Sequence, residues 1–190
     1  MQNTTINLEV CSRANFSSEH YASLQVLIDN EINVLPVDVV KISNNYGIDI
    51  IKNSIAKELR EDEFGISVFN GDNWYIVYDD VVGDISSRRF TIAHELGHIL
   101  LGHPLVAGYH KRSRDKSSPI PRTETEADSF ASKLLAPACV LWGLNIRTAA
   151  KIEVACKIPS EYAKSRANRM RELYKRNKFL THKLETKLYN

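Results

Sequence analysis

His94-Glu95-Leu96-Gly97-His98 sets two imidazoles four residues apart, with a carboxylate directly after the first. On an α-helix that spacing leaves about 40° of rotation and roughly 6 Å of rise between the rings, so both can reach one ion. Imidazole nitrogens bind zinc at about 2.0–2.1 Å, and Glu95, a quarter-turn away, falls beside a bound water as a general base. The pentapeptide is only moderately specific. With this histidine and glutamate content, a shuffled chain contains it roughly once in eighty trials, so its context has to decide.

A catalytic zinc takes three protein ligands and keeps one position open. Thr123-Glu124-Thr125-Glu126-Ala127-Asp128 offers the third. Glu124 and Asp128 are four apart and share a helix face, whereas Glu126 points elsewhere. That pairing favours Glu124 as the metal ligand and Asp128 as acceptor from the far nitrogen of a ligand histidine. Glu126 stays open as the alternative ligand, since an acidic first turn is common for dipole reasons alone. Tyr109, His110 and His103 follow the motif and are candidates for steadying a developing oxyanion or touching substrate; the sequence does not choose among them. His20 and His182 are remote and expected to be inert.

The elements that must position these residues are legible in outline. Glu19 to Ile28 has helical apolar spacing, and Pro36 suits the first turn of a second helix ending before Gly47. Ile48/Ile50, Ile66/Val68 and Trp74/Ile76/Tyr78 alternate as strands do, and Asn70-Gly71 between the last two predicts a hairpin. Ser86 or Ser87 is expected to cap a helix running to Leu101, closed by Gly102. Within it Phe90, Ala93, Gly97 and Leu101 form a small or apolar stripe. A further helix is expected from Thr123 to the residues before Pro137, then helices beyond Gly143 broken at Ile158-Pro159-Ser160. The expected class is α+β: mostly helical, with a small antiparallel sheet packed on the His-Glu-x-x-His helix and helix-turn-helix-like helices at the carboxyl end. Residues 1–34 read as a lead-in and helix, 35–143 as the domain carrying the motif, and 144–190 as a basic helical segment.

Composition is that of a soluble globular protein: 43% hydrophobic, 25% charged, net charge +2. The longest apolar run, Leu134 to Leu144, is about half of the ~20 residues a membrane span needs. No apolar signal segment is visible, and the expectation is a cytoplasmic protein with no membrane partner. Cys11, Cys139 and Cys156 match neither a disulfide framework nor a thiolate metal site and are expected as reduced thiols. Residues 145–190 hold 12 Lys/Arg against 4 Asp/Glu, a balance of +8 on a body of −6. That asymmetry fits an acidic partner, nucleic acid, or a plain solvated face. No serine or cysteine nucleophile setting and no glycine-rich phosphate loop is present.

Arg88 to Leu101 resembles the signature helix of the ImmA/IrrE family of zinc peptidases. Glu124-Thr125-Glu126-Ala127-Asp128-Ser129-Phe130-Ala131, with Leu134-Leu135-Ala136-Pro137, resembles that family's second block. The likeness extends over roughly residues 35 to 175. Two departures are visible: Asp128 stands where many members have Asn, and Leu-Ala-Pro replaces the commoner Leu-Met-Pro. The resemblance implies a thermolysin-like zinc site in a minimal form without an added amino-terminal helix-turn-helix domain. It further implies an endopeptidase that cuts a helix-turn-helix transcriptional repressor of a phage, mobile element or stress regulon. A competing reading is a DNA- or protein-binding regulator with a non-catalytic zinc site. In it, Ala149 to Leu173 forms the helix-turn-helix, and Arg166, Arg169 and Arg171 meet phosphates. A third is a stress or toxin-antitoxin partner acting by binding alone. Glu95 discriminates, because a closed structural site takes four protein ligands and has no use for a base.

Overall fold

A computed structural model describes residues 19–32, 34–105 and 121–175. Expectations concerning Cys11, Tyr109, His110, the basic residues 111–116 and His182 lie outside these residues. Helix α1 spans Glu19–Asp29 and α2 spans Val39–Asn45. Pro36 does not open α2: Asp38 does, because its carboxylate accepts from Lys41 N at 3.0 Å and satisfies a free donor of the first turn. Gly47, at φ 70, turns the chain into β1, Asp49–Lys52.

After β1 and the single turn α3 (Asn53–Ala56) come β2, Gly65–Phe69, and β3, Trp74–Tyr78. The expected hairpin is present, with Phe69 opposite Trp74 and the Asn70 side chain accepting from the backbone of Asp72 and Asn73. The sheet order is β1-β3-β2, and β1 runs parallel to β3 with Asp49 opposite Tyr75. The sheet is therefore mixed, which corrects the antiparallel expectation. Residues 53–64 carry the chain past the central position to the far edge, so β3, returning from the hairpin, runs in the same direction as β1. Alternation in the sequence marks strands but not which neighbours they take.

Helix α4, Ile85–Leu100, carries the histidine motif through the middle of the fold. Its cap is Asp84, accepting from Ser87 N at 2.7 Å, two residues before the expected serine. At the other end Gly102 adopts φ +73 and reverses the chain into a short 3₁₀ turn, His103–Leu105. Helix α5, Arg122–Leu135, lies against α4 on one side, with α1 packed on α5 and the sheet and α2 packed on α4. Helices α6 (Ala138–Gly143), α7 (Ala149–Cys156) and α8 (Ser160–Lys175) follow, α7 and α8 packing together. One continuous hydrophobic cluster joins Leu27, Ile42, Ile76, Leu96, Phe130 and Met170. Among the described residues no helix is long and apolar enough to cross a membrane, and Cys139 and Cys156 are buried free thiols.

The helix–turn–helix outline of α7 and α8 is there, but Arg166 does not face solvent. It is buried, and its Nε donates to the Ala136 carbonyl at 2.7 Å. That contact takes the guanidinium away from any phosphate and ties α8 to the end of α5. Arg169 and Arg171 remain exposed.

The α4–α5 contact depends on Gly97. A Cβ there would stand 2.9 Å from Cδ1 of Phe130, whose ring is wholly buried and has nowhere to retreat. Gly97→Ala gains about 1 kcal/mol of helix propensity. Overpacking a dense core costs about 1–3 kcal/mol. The expected result is a net loss of stability of about 1 kcal/mol, read as a lower denaturant midpoint at unchanged slope. A midpoint equal to or above wild type would show that the two helices have slack at this contact.

Candidate metal centre

Three side chains from two helices converge. Nε2 of His94 and Nε2 of His98 lie 2.9 Å apart, and the two oxygens of Glu124 lie 3.3 Å from one and 3.3 Å from the other. All three ligand atoms fall within 4.8 Å of one another. Atoms bound at about 2.0–2.1 Å around a tetrahedral ion stand roughly 3.3 Å apart, so the cluster needs only a few tenths of an ångström of spreading to hold one. Local sequence makes this possible. His94 and His98 are one helical turn apart on α4. Glu124 sits in the first turn of α5, where its amide donates to the Pro121 carbonyl and the helix dipole favours a carboxylate.

The surroundings orient the rings. His94 Nδ1 donates to Asp128 Oδ1 at 2.8 Å, on the face that Asp128 shares with Glu124. Glu126 turns away from the cluster: Oε2 lies 3.2 Å from Nε2 of His103, and Oε1 accepts from Arg122 Nε at 2.7 Å. His103, one of the three candidates for substrate or oxyanion contact, packs behind His98. It is 4% exposed, and both ring nitrogens are engaged, Nδ1 lying 2.8 Å from Nδ1 of His98. The αL conformation of Gly102 folds the chain back so that the residue five beyond His98 comes under it. Spacing rules for regular helices do not reach past that reversal.

Glu95 is 7% exposed, and among the described residues nothing donates to its Oε2. A buried carboxylate oxygen without a partner is costly to a fold. Strand β2 crosses directly above it at Gly65. A Cβ on Gly65 would meet Thr91 Cγ2 at 2.5 Å and Glu95 Cγ at 3.3 Å. Thr91 cannot rotate clear, since its hydroxyl donates to the Ser87 carbonyl at 3.1 Å. Sequence reasoning passed over Gly65; its one signal was a glycine opening an otherwise apolar strand.

Electrostatics follow from the same contacts. Burial disfavours the His94 imidazolium, but hydrogen bonds to Asp128 and Glu124 with nearby Glu95 outweigh it and lift its pKa to about 10. Burial likewise opposes the Glu124 carboxylate, and hydrogen bonds from His94 and His98 overcome that and lower it to about 2. For His103 desolvation dominates, joined by the neighbouring His98, and pushes it down, which favours the neutral ring.

Residues 44–175 match the peptidase M78 family, described as the IrrE N-terminal-like domain, and the chain belongs to that family. The match spans β1 to the end of α8 and includes every side chain of the cluster, so the molecule is a metallopeptidase-type protein. Comparison with curated proteins gives no match.

The raised pKa of His94 makes metal uptake a proton exchange. Without a cation the folded pKa lies above the unfolded value, so this contribution to stability is complete below about pH 6.5 and fades as pH climbs through about 10. An incoming cation must displace the His94 proton. Titrating the metal-free chain with zinc near pH 7.5 should release at least one proton per ion. Calorimetry in buffers of different ionisation enthalpy reads that number, and apparent affinity should strengthen up to about pH 10. No proton release would place the proton elsewhere in the cluster.

Proposed function

We propose that the chain is a zinc-dependent, cytoplasmic endopeptidase. The observation that carries this reading is the pairing of a three-ligand cluster, one short of a closed structural site, with a buried carboxyl oxygen that meets no donor among the described residues. In it His94, His98 and Glu124 would hold the ion, and two imidazoles with one carboxylate are the donor set zinc takes in hydrolases. The ion there would supply a water activated near neutral pH and polarisation of the scissile carbonyl. Glu95 Oε2 takes the proton of the attacking water and hands it to the leaving amine nitrogen. Asp128 fixes the tautomer of His94 by accepting at Nδ1, leaving the Nε2 lone pair for the ion. His103 is turned away from this space, so a further donor to the oxyanion comes from elsewhere, Tyr109 and His110 being the sequence candidates.

The proposed substrate is a helix-turn-helix transcriptional repressor, whose cleavage relieves repression of a phage, mobile element or stress regulon. Family membership supports this choice. The exposed Lys164 and Arg171, seven apart on α8, add basic groups suited to an acidic region of such a protein, or to nucleic acid near it. Contacts of that kind weaken with salt, since exposed charges are screened beyond about 8 Å at physiological ionic strength. The reading of α7 and α8 as a DNA-binding unit is weakened by the burial of Arg166.

Glu95→Gln should retain about one zinc per chain while cleavage of a repressor encoded beside this gene is abolished in co-expression. His94→Ala and His98→Ala should lose both metal and cleavage. Glu124→Ala should weaken zinc binding far more than Glu126→Ala. Equal levels of intact repressor with wild type and Glu95→Gln would overturn the substrate assignment. Full cleavage by Glu95→Gln would overturn the role of the base.

A further inference from the structure

The geometry points to His103 as a positioning residue for the metal centre: it aligns His98 through a relay that runs His98–His103–Glu126–Arg122. The inference rests on the metal-site reading above and adds to it a device for the second histidine.

The two ligand histidines are held differently. His94 meets its carboxylate directly, at Asp128. At the far nitrogen of His98, among the described residues, stands His103, Nδ1 to Nδ1 at 2.8 Å, and Glu126 lies beyond it at 3.2 Å. The direction of each hydrogen bond follows from what each group can do. Glu126, accepting from Arg122, is a carboxylate and donates nothing, so the proton between it and His103 sits on Nε2 of His103. In the neutral ring Nδ1 of His103 is then a lone pair and accepts. Nδ1 of His98 supplies the proton, and Nε2 of His98 presents its lone pair to Glu124 and His94, where an ion would be held. The bonds run outward from His98 through His103 to Glu126, which accepts from His103 on one side and from Arg122 on the other.

The arrangement has a second consequence. His98 and His103 are both almost fully buried, so no water competes for these nitrogens, and the wrong tautomer of His98 would leave two lone pairs facing each other at 2.8 Å. The relay therefore sets the ligating tautomer before any ion arrives. Its outer end, the Arg122–Glu126 pair, lies near the surface, and exposed pairs of this kind contribute little to folding. The effect expected is on metal binding.

The test measures zinc affinity of the full chain by competition with a chelator, alongside thermal unfolding of the metal-free forms. Wild type should bind one zinc; if it binds none, the metal-site reading itself fails, independently of the relay. Given binding, His103→Ala should weaken affinity by roughly 10–100-fold, the range for loss of a partner to a ligand histidine. His103→Asn, whose carbonyl oxygen falls where Nδ1 does and can accept from His98, should recover most of that loss. A purely structural role would lower the unfolding midpoint and leave zinc affinity unmoved. Wild-type affinity in His103→Ala overturns the relay, as does an Asn variant as weak as the Ala variant. Should His103→Ala fail to fold, Glu126→Ala, at the half-buried end, reads the same chain. A loss of several-fold supports the relay and an unchanged affinity overturns it.

Discussion

The distance between helices α4 and α5 governs what this molecule can do. One helix carries two imidazoles and the other a carboxylate, and neither alone can hold an ion. Their approach is set where Gly97 faces Phe130, a glycine in mid-helix position against a ring with no exposed surface. Glycine is a poor helix former, so its place between Leu96 and His98 makes sense only through the partner helix. The same approach aligns Asp128 with His94 and puts Glu126 against the turn that follows α4. Around this contact the rest is scaffold. The sheet presses on α4 from the opposite side, and α1 braces α5 through Glu19, which accepts from Lys133 and Ser129.

Much of this could be read from residue order, and the reasons differ by element. The histidine helix and the Glu124/Asp128 face were legible because period 3.6 converts spacing into direction. The hairpin was legible because Asn-Gly favours the tight turn whatever surrounds it. The pairing direction of β1 was not legible, since it depends on where residues 53–64 lead the chain. The sequence points to Ser86 or Ser87 as the cap, whereas Asp84, just upstream, is the side chain placed to meet the Ser87 amide. Arg166 looked like a surface charge by type, yet the long side chain passes inward to a carbonyl left free where α5 ends.

The contact made by His103 was not legible. Helical continuation past the motif would carry the residue onward. One glycine in the left-handed region reverses the path and brings the ring behind His98 instead. Glu126 was judged against Glu124 for a single post, whereas the two serve different histidines. Residues two apart on a helix diverge by about 200°, so Glu126 meets His103 while Glu124 and Asp128 both reach His94.

The bare oxygen of Glu95 has an implication for how such a protein can be changed. Leaving a buried acceptor unsatisfied costs about 1–3 kcal/mol, which is a sizeable fraction of the margin by which small proteins stay folded. Selection for thermal robustness alone would replace this residue early, with an amide or an apolar side chain, and would be rewarded for it. On the proposed role of Glu95 as the base, stability at this position and turnover are opposed, and a descendant hardened here would keep the ligand cluster and lose the cut.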